Sequence, residues 1–180
     1  MTENKNLVSW SNLLNFTDRQ KEAYKSLFKH TFTLYGGARG GGKSYFLRWG
    51  MISWIIHQAK LGRPGIVGGL FSSTYTNLKD RQISKIAAEF PSWLGTLKEN
   101  KTLGLAFYLD QKFGGGALTL RNLDESTKYK SAEFGIIGVD ELTEHNVDTF
   151  NILIGSLRWA GLKKDRKSTR LNSSHRIRSR

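Results

Sequence analysis

Gly37-Ala38-Arg39-Gly40-Gly41-Gly42-Lys43-Ser44 follows the alternating run Thr31-Phe32-Thr33-Leu34-Tyr35 and leads into Tyr45-Phe46-Leu47-Arg48-Trp49-Gly50-Met51-Ile52. The eight residues have the spacing G-x-x-x-x-G-K-S, which a phosphate-cradling loop requires. Glycines let successive backbone N–H groups turn inward without a Cβ clash and form a nest for anionic oxygens. The helix that opens at Lys43 aims its positive dipole end at the same anion. In such a loop Lys43 reaches the terminal phosphates and the Ser44 hydroxyl holds Mg²⁺. The flanks fit: the sequence predicts a β-strand over 31–35 and a helix over 43–59, with apolar residues at Phe46, Leu47, Met51, Ile52, Ile55 and Ile56.

A site of this kind needs an acid at the end of a buried strand. Phe134-Gly135-Ile136-Ile137-Gly138-Val139 is wholly apolar, as in a sheet covered on both faces, and Asp140-Glu141 follows it. Mg²⁺ takes hard oxygen ligands and keeps several waters, so Asp140 acting with Ser44 suffices to hold it. Glu141 is then the residue that orients or deprotonates an attacking water. Arg39 stands where a small residue would serve. Its guanidinium either contacts the γ-phosphate and stabilises transition-state charge or points to solvent. Arg158 is a further candidate for a sensor or finger. Gln20, beside Phe16, either reads an adenine edge while the ring packs on the base or simply caps a helix.

Outward from these segments, Thr17 with Gln20 has the form of a capping box and starts a helix over 18–29. Gly62-Arg63-Pro64-Gly65 is a turn before a buried strand over 66–71. A second helix is expected over 76–90, stopped by Pro91, and residues 105–109 and 117–123 form a hairpin around 110–116. Gly114-Gly115-Gly116 fits that turn better than a second phosphate site. A helix over 144–153 is followed by a possible strand start over 153–157. Alternating strands and helices predict an α/β fold, a P-loop NTPase with a mainly parallel central sheet flanked by helices.

Composition bounds the rest. The 180 residues contain no cysteine, so neither disulfides nor thiolate metal sites are available. His30, His57, His145 and His175 show no metal-ligand spacing, and no G-x-S-x-G elbow occurs. The polar first residues carry no secretion-signal core, and no apolar run is long enough to span a bilayer, so a soluble intracellular protein is expected. The net charge is +13, of which +7 lies in the stretch 163–180, with eight Lys or Arg and one acid. That stretch lacks periodicity and cannot pack a core. It is a basic arm for phosphates, a solvated tail, or, on its similarity to translated adapter or read-through sequence, a non-native end after Leu162. The domain then spans 1–162 and is incomplete at its C-terminus. The body keeps +6, which suits a nucleotide or nucleic-acid partner.

The ordered set Phe16-Thr17-Asp18-Arg19-Gln20, Gly36 to Ser44, Ile83 to Pro91, Lys128 to Phe134 and Val139-Asp140-Glu141-Leu142-Thr143-Glu144 resembles the N-terminal ATPase domain of the large terminase subunit of tailed bacteriophages. The likeness covers roughly residues 16–159. It implies an ATPase that uses ATP and Mg²⁺ to drive double-stranded DNA into a procapsid, in the cytoplasm of a bacterial host. It also implies a homo-oligomeric ring on a portal protein, a small terminase subunit as partner, and no membrane. In the family a C-terminal nuclease domain and a coupling motif follow, and neither is expected in this chain. Many members carry an arginine just after the second core strand. Here Ser72-Ser73 stand there, which leaves Arg81 as the replacement or leaves that role unfilled. A helicase-like motor and a nucleotide-gated scaffold without turnover are the alternatives. A helicase-like Ser-Ala-Thr segment and a second motor domain are both lacking.

Overall fold

A computed structural model describes residues 14–36, 40–124 and 129–162. Helix α1 (Asp18–Lys29) starts where the sequence predicts it. Thr17 accepts from the Gln20 backbone N–H, and the Gln20 side chain accepts from the Thr17 backbone N–H at 2.8 Å. Two otherwise unpaired donors are thereby satisfied reciprocally. Helix α2 (Lys43–Lys60) opens at Gly42 and is buried along most of its circumference.

Five strands form one sheet: β1 (Val67–Ser72), β2 (Gly95–Asn100), β3 (Gly104–Leu109), β4 (Ala117–Asn122) and β5 (Ile136–Val139), in the order β2-β3-β4-β1-β5. β1 pairs parallel with β4 and with β5, whereas β2 with β3 and β3 with β4 are antiparallel. The sheet is therefore mixed rather than mainly parallel. Its parallel part is the part predicted around the candidate site. The antiparallel part grows from the 104–122 hairpin and from β2, which its exposed, Lys- and Glu-bearing sequence disguises.

Alternation along the strands divides the core into two layers. Leu70, Leu118, Leu120 and Ile136 pack with α2 and with Leu78 and Ile86 on one face. Phe71, Ile137 and Val139 pack with Phe134 and Leu153 on the other, under helix α5 (Val147–Ser156). Glycine makes the first layer close: a Cβ at Gly138 would collide with Met51 Sδ and stand 2.8 Å from Leu47 Cδ1. Helix α2 thus rests directly on the backbone of β5.

Two further expectations are corrected. Residues 31–35 form no strand; a strand exists through its ladder, and among the described residues none pairs with this segment. Phe32 and Leu34 are accordingly 48% and 84% exposed. The possible strand start over 153–157 belongs mostly to α5, whose Asn146 cap receives the Thr149 N–H at 2.8 Å and shifts the helix toward the C-terminus. The helix expected over 76–90 is present without a break, its middle widened: α3 (Tyr75–Leu78), a π-turn (Lys79–Ile83) and α4 (Ser84–Glu89) follow one another directly. No described helix is long and apolar enough to cross a membrane.

Candidate functional site at the first turn of α2

The site lies at the C-terminal ends of the parallel strands, where open α/β sheets commonly bind ligands. Gly37, Ala38 and Arg39 fall outside the described residues. Gly40 and Gly42 have φ of 79° and 66°, a backbone that side chains rarely adopt. A Cβ on Gly42 would also stand 2.5 Å from Gln20 Nε2. The Gly42 carbonyl accepts the Phe46 N–H, opening the helix, and the Gln20 side-chain amide, each at 2.9 Å. Lys43 and Ser44 are then the first two residues of α2, whose leading N–H groups have no partner within the helix.

Ser44 and Asp140 are separated by 96 positions and meet here. Ser44 Oγ lies 3.1 Å from Asp140 Oδ2 and 3.4 Å from Oδ1. Asp140 extends the β5 ladder by one bond, its N–H donating to the Phe71 carbonyl at 2.8 Å, and this fixes where its side chain leaves the sheet. Glu141 next to it has φ 55° and ψ 47°, the one positive-φ non-glycine among the described residues. Such backbone costs an ordinary residue about 1–2 kcal/mol. It turns the chain sharply, so that consecutive carboxylates are presented to different neighbours.

Those neighbours are also consecutive, and both come from the π-turn. Arg81 Nη1 forms an ion pair with Glu141 Oε1. The hydrogen bond to Glu141 is the main cause that raises the Arg81 guanidinium above its ordinary value, and the charges of Glu141, Asp140 and Glu144 add to it. Gln82, fully buried, donates from Nε2 to Asp140 Oδ2 at 2.7 Å. Behind Gln82 stands Arg48, 3% exposed, whose Nη1 donates to Gln82 Oε1 at 3.2 Å and to the Arg81 carbonyl at 2.9 Å. Its Nε and Nη2 grip both oxygens of Glu89, at 3.1 and 2.6 Å. A buried arginine with a bidentate partner is the arrangement that keeps its charge tolerable.

A cavity of about 880 Å³ adjoins the loop, lined by Thr17, Arg19, Gln20, Tyr35, Lys43 and Tyr45 among others. Ligand clefts commonly have this size. Gln20 borders it but is itself 3% exposed, its amide already bonded to Thr17 and to Gly42. Tyr45 is pushed above its ordinary value by burial first and by the Glu89 charge second.

Lys43, Ser44, Asp140 and Glu141 are thus gathered at one end of the sheet, with Gln20 bracing the loop. Arg158 is directed elsewhere: its Nη2 donates to the Lys130 carbonyl at 3.2 Å, and its Nε is 3.8 Å from Glu133. Gln82, Arg48 and Glu89 are the residues sequence reasoning missed. One signal was legible, a lone arginine in the otherwise apolar run of α2. Gln82 gave none, because its role arises from the widened turn.

Serine hydroxyl and carboxylate are hard oxygens, and their approach in this geometry fits Mg²⁺. Among the described residues no group of three or more His, Cys, Asp or Glu could hold a metal by itself. Comparison of the chain with protein-family models, curated proteins and solved structures found no match.

Proposed function

We propose that this chain is a Mg²⁺-dependent ATPase with a P-loop NTPase fold, and that it is the motor domain of a phage terminase large subunit. The observation that carries the enzymatic part is the approach of Ser44 to Asp140 at the glycine-led start of α2. Gly40 to Gly42 and the leading N–H groups of α2 bind phosphate oxygens, and Lys43 neutralises the terminal ones. Ser44 and Asp140 hold the divalent cation, which when bound spreads the charge developing on the phosphates. Glu141 accepts the proton of a water whose oxygen attacks the γ-phosphorus as the β–γ bridging bond breaks and ADP leaves. Arg81 must yield or share the Glu141 carboxylate for that transfer to occur.

The motor part rests on the ordered resemblance from Phe16 to Trp159 and on a body that stays basic without its last residues. Double-stranded DNA is the expected track, with a portal protein and a small terminase subunit as partners. A homo-oligomeric ring in the cytoplasm of a bacterial host is the expected setting. The Arg81–Glu141 pair favours one second reading, a nucleotide-gated scaffold in which the glutamate never acts as base.

Phosphate release measured with Mg²⁺ and with EDTA tests the proposal. Wild type should hydrolyse ATP only with the metal. Glu141→Gln should bind nucleotide but lose turnover, and Lys43→Ala should lose affinity. Equal rates for Glu141→Gln and wild type would sink the catalytic assignment and leave the scaffold. Stimulation by double-stranded DNA or a portal protein separates the motor from other ATPases.

A further inference from the structure

We infer that Gln82 is a positioning residue for Asp140, and through it for the divalent cation of a bound nucleotide; the inference rests on the nucleotide site proposed above. A carboxylate on a strand end turns freely about its last bond unless something holds it, since that torsion is broad. Gln82 holds this one. Its Nε2 stands 2.7 Å from Asp140 Oδ2, in a fully buried position.

The orientation of the amide is settled by chemistry. Arg48 has donors only, so the Gln82 atom 3.2 Å from Arg48 Nη1 must be the carbonyl oxygen. The NH₂ is then left to face Asp140, whose ionised carboxylate only accepts. Arg48 cannot turn away, because Glu89 grips two of its nitrogens and the Arg81 carbonyl holds the third. Arg48 donates to Glu89 on one side and to Gln82 on the other, Gln82 donates to Asp140, and Asp140 also accepts from Ser44. Each bond in the chain Glu89–Arg48–Gln82–Asp140–Ser44 therefore has a single donor assignment. The chain fixes which face of Asp140 is turned to Ser44.

The π-turn makes this possible. The Ser84 N–H bonds to the Lys79 carbonyl, five residues back, which widens the helix at the point where Gln82 reaches inward. Such single widened turns recur at functional sites. A polar residue that only fills the core would satisfy its hydrogen bonds without affecting cation affinity. Residues that orient a metal's ligands characteristically change that affinity by roughly 10–100-fold when removed.

The test uses the full chain, the fluorescent nucleotide mant-ATP, and Mg²⁺ titrated from EDTA-treated protein. Gln82→Met keeps the shape without the amide. Gln82→Glu keeps the acceptor for Arg48 and replaces the donor facing Asp140. Both should bind mant-ATP in EDTA within about twofold of wild type, while the Mg²⁺ concentration for half-maximal effect rises roughly 10–100-fold. An unchanged Mg²⁺ requirement in either folded variant overturns the inference. Tighter Mg²⁺ binding by Gln82→Glu also overturns it, because that marks position 82 as a direct ligand. Should the methionine variant not melt cooperatively, the glutamate variant decides. If wild type binds no mant-ATP with or without Mg²⁺, the nucleotide site itself falls and takes the inference with it. Wild-type binding with unaltered variants removes the inference alone.

Discussion

Arg81 and Glu141 face each other across the end of the sheet, an arginine on a widened helical turn paired with a glutamate in left-handed backbone. Their side chains remain about half and one-third exposed, at 47% and 32%. A pair so placed contributes little to stability, about 0–1 kcal/mol. Its consequence lies in where it holds the Glu141 carboxylate. Arg81→Ala should therefore shift the melting temperature by no more than about 4 °C. It should reduce kcat of ATP hydrolysis about tenfold, with nucleotide affinity within about threefold of wild type, because the Glu141 carboxylate loses the partner that places it. A large loss of stability with normal kcat per folded molecule would show the pair to be structural only.

Arg48 is the opposite case. It is nearly inaccessible, and removing it leaves Glu89, Gln82 and the Arg81 carbonyl without their donor. Breaking a buried pair from one side costs about 3–5 kcal/mol. Urea denaturation of Arg48→Ala should show a loss of that order with an unchanged denaturant slope. Glu89→Gln, at the more accessible end of the pair, should cost less.

Gly42 and Gln20 couple α1 to the loop. Gly42→Ala places a methyl 2.5 Å from Gln20 Nε2 in a backbone region that itself costs alanine about 1–2 kcal/mol. Gln20→Ala removes the collision but leaves the backbone cost. In a double-mutant cycle the two losses should be less than additive, by about 0.5 kcal/mol or more. Additive losses would mean that the loop and α1 do not feel each other.

Tyr45 provides a pH prediction. Its folded-state value is raised by burial and by Glu89, so the unfolded chain gives up this proton first as the solution turns alkaline. The contribution is complete below the ordinary phenol value of about 10 and is lost as pH rises through the folded value. Denaturation of wild type and Tyr45→Phe from pH 8 to pH 11 should give a constant stability difference up to about 9.5. Above that, wild type should lose ground. A difference flat to pH 11 would contradict the shielding of this phenol.

Much of the site was legible because its parts carry local signals. The glycine spacing before Lys43 and the capping pair Thr17–Gln20 are fixed by short-range chemistry, and both ends of Phe134–Val139 are marked by composition. What stayed hidden depends on partners distant in sequence. Thr31–Tyr35 alternates like a strand, yet alternation supplies no neighbour to pair with. β2 lacks the apolar alternation because both its faces are largely exposed. The π-turn has no sequence period of its own, so Gln82 reads as an ordinary helix residue, and Arg81 stands out only through the family resemblance, until the fold sets them against Asp140 and Glu141. Arg158, conspicuous in sequence, has its contacts with Lys130 and Glu133.

The seat of α2 on Gly138 acts as a gauge block for the whole arrangement. Leu47 and Met51 stand three and seven residues beyond Ser44 on the helix, and Gly138 stands two before Asp140 on the strand. The thickness of one hydrogen atom at position 138 thus sets the clearance between a hydroxyl and a carboxylate that belong to distant parts of the chain. Volume added there must displace Met51 and Leu47 or lift the helix. The calibration of the site is held in its floor, out of reach of any ligand at its mouth.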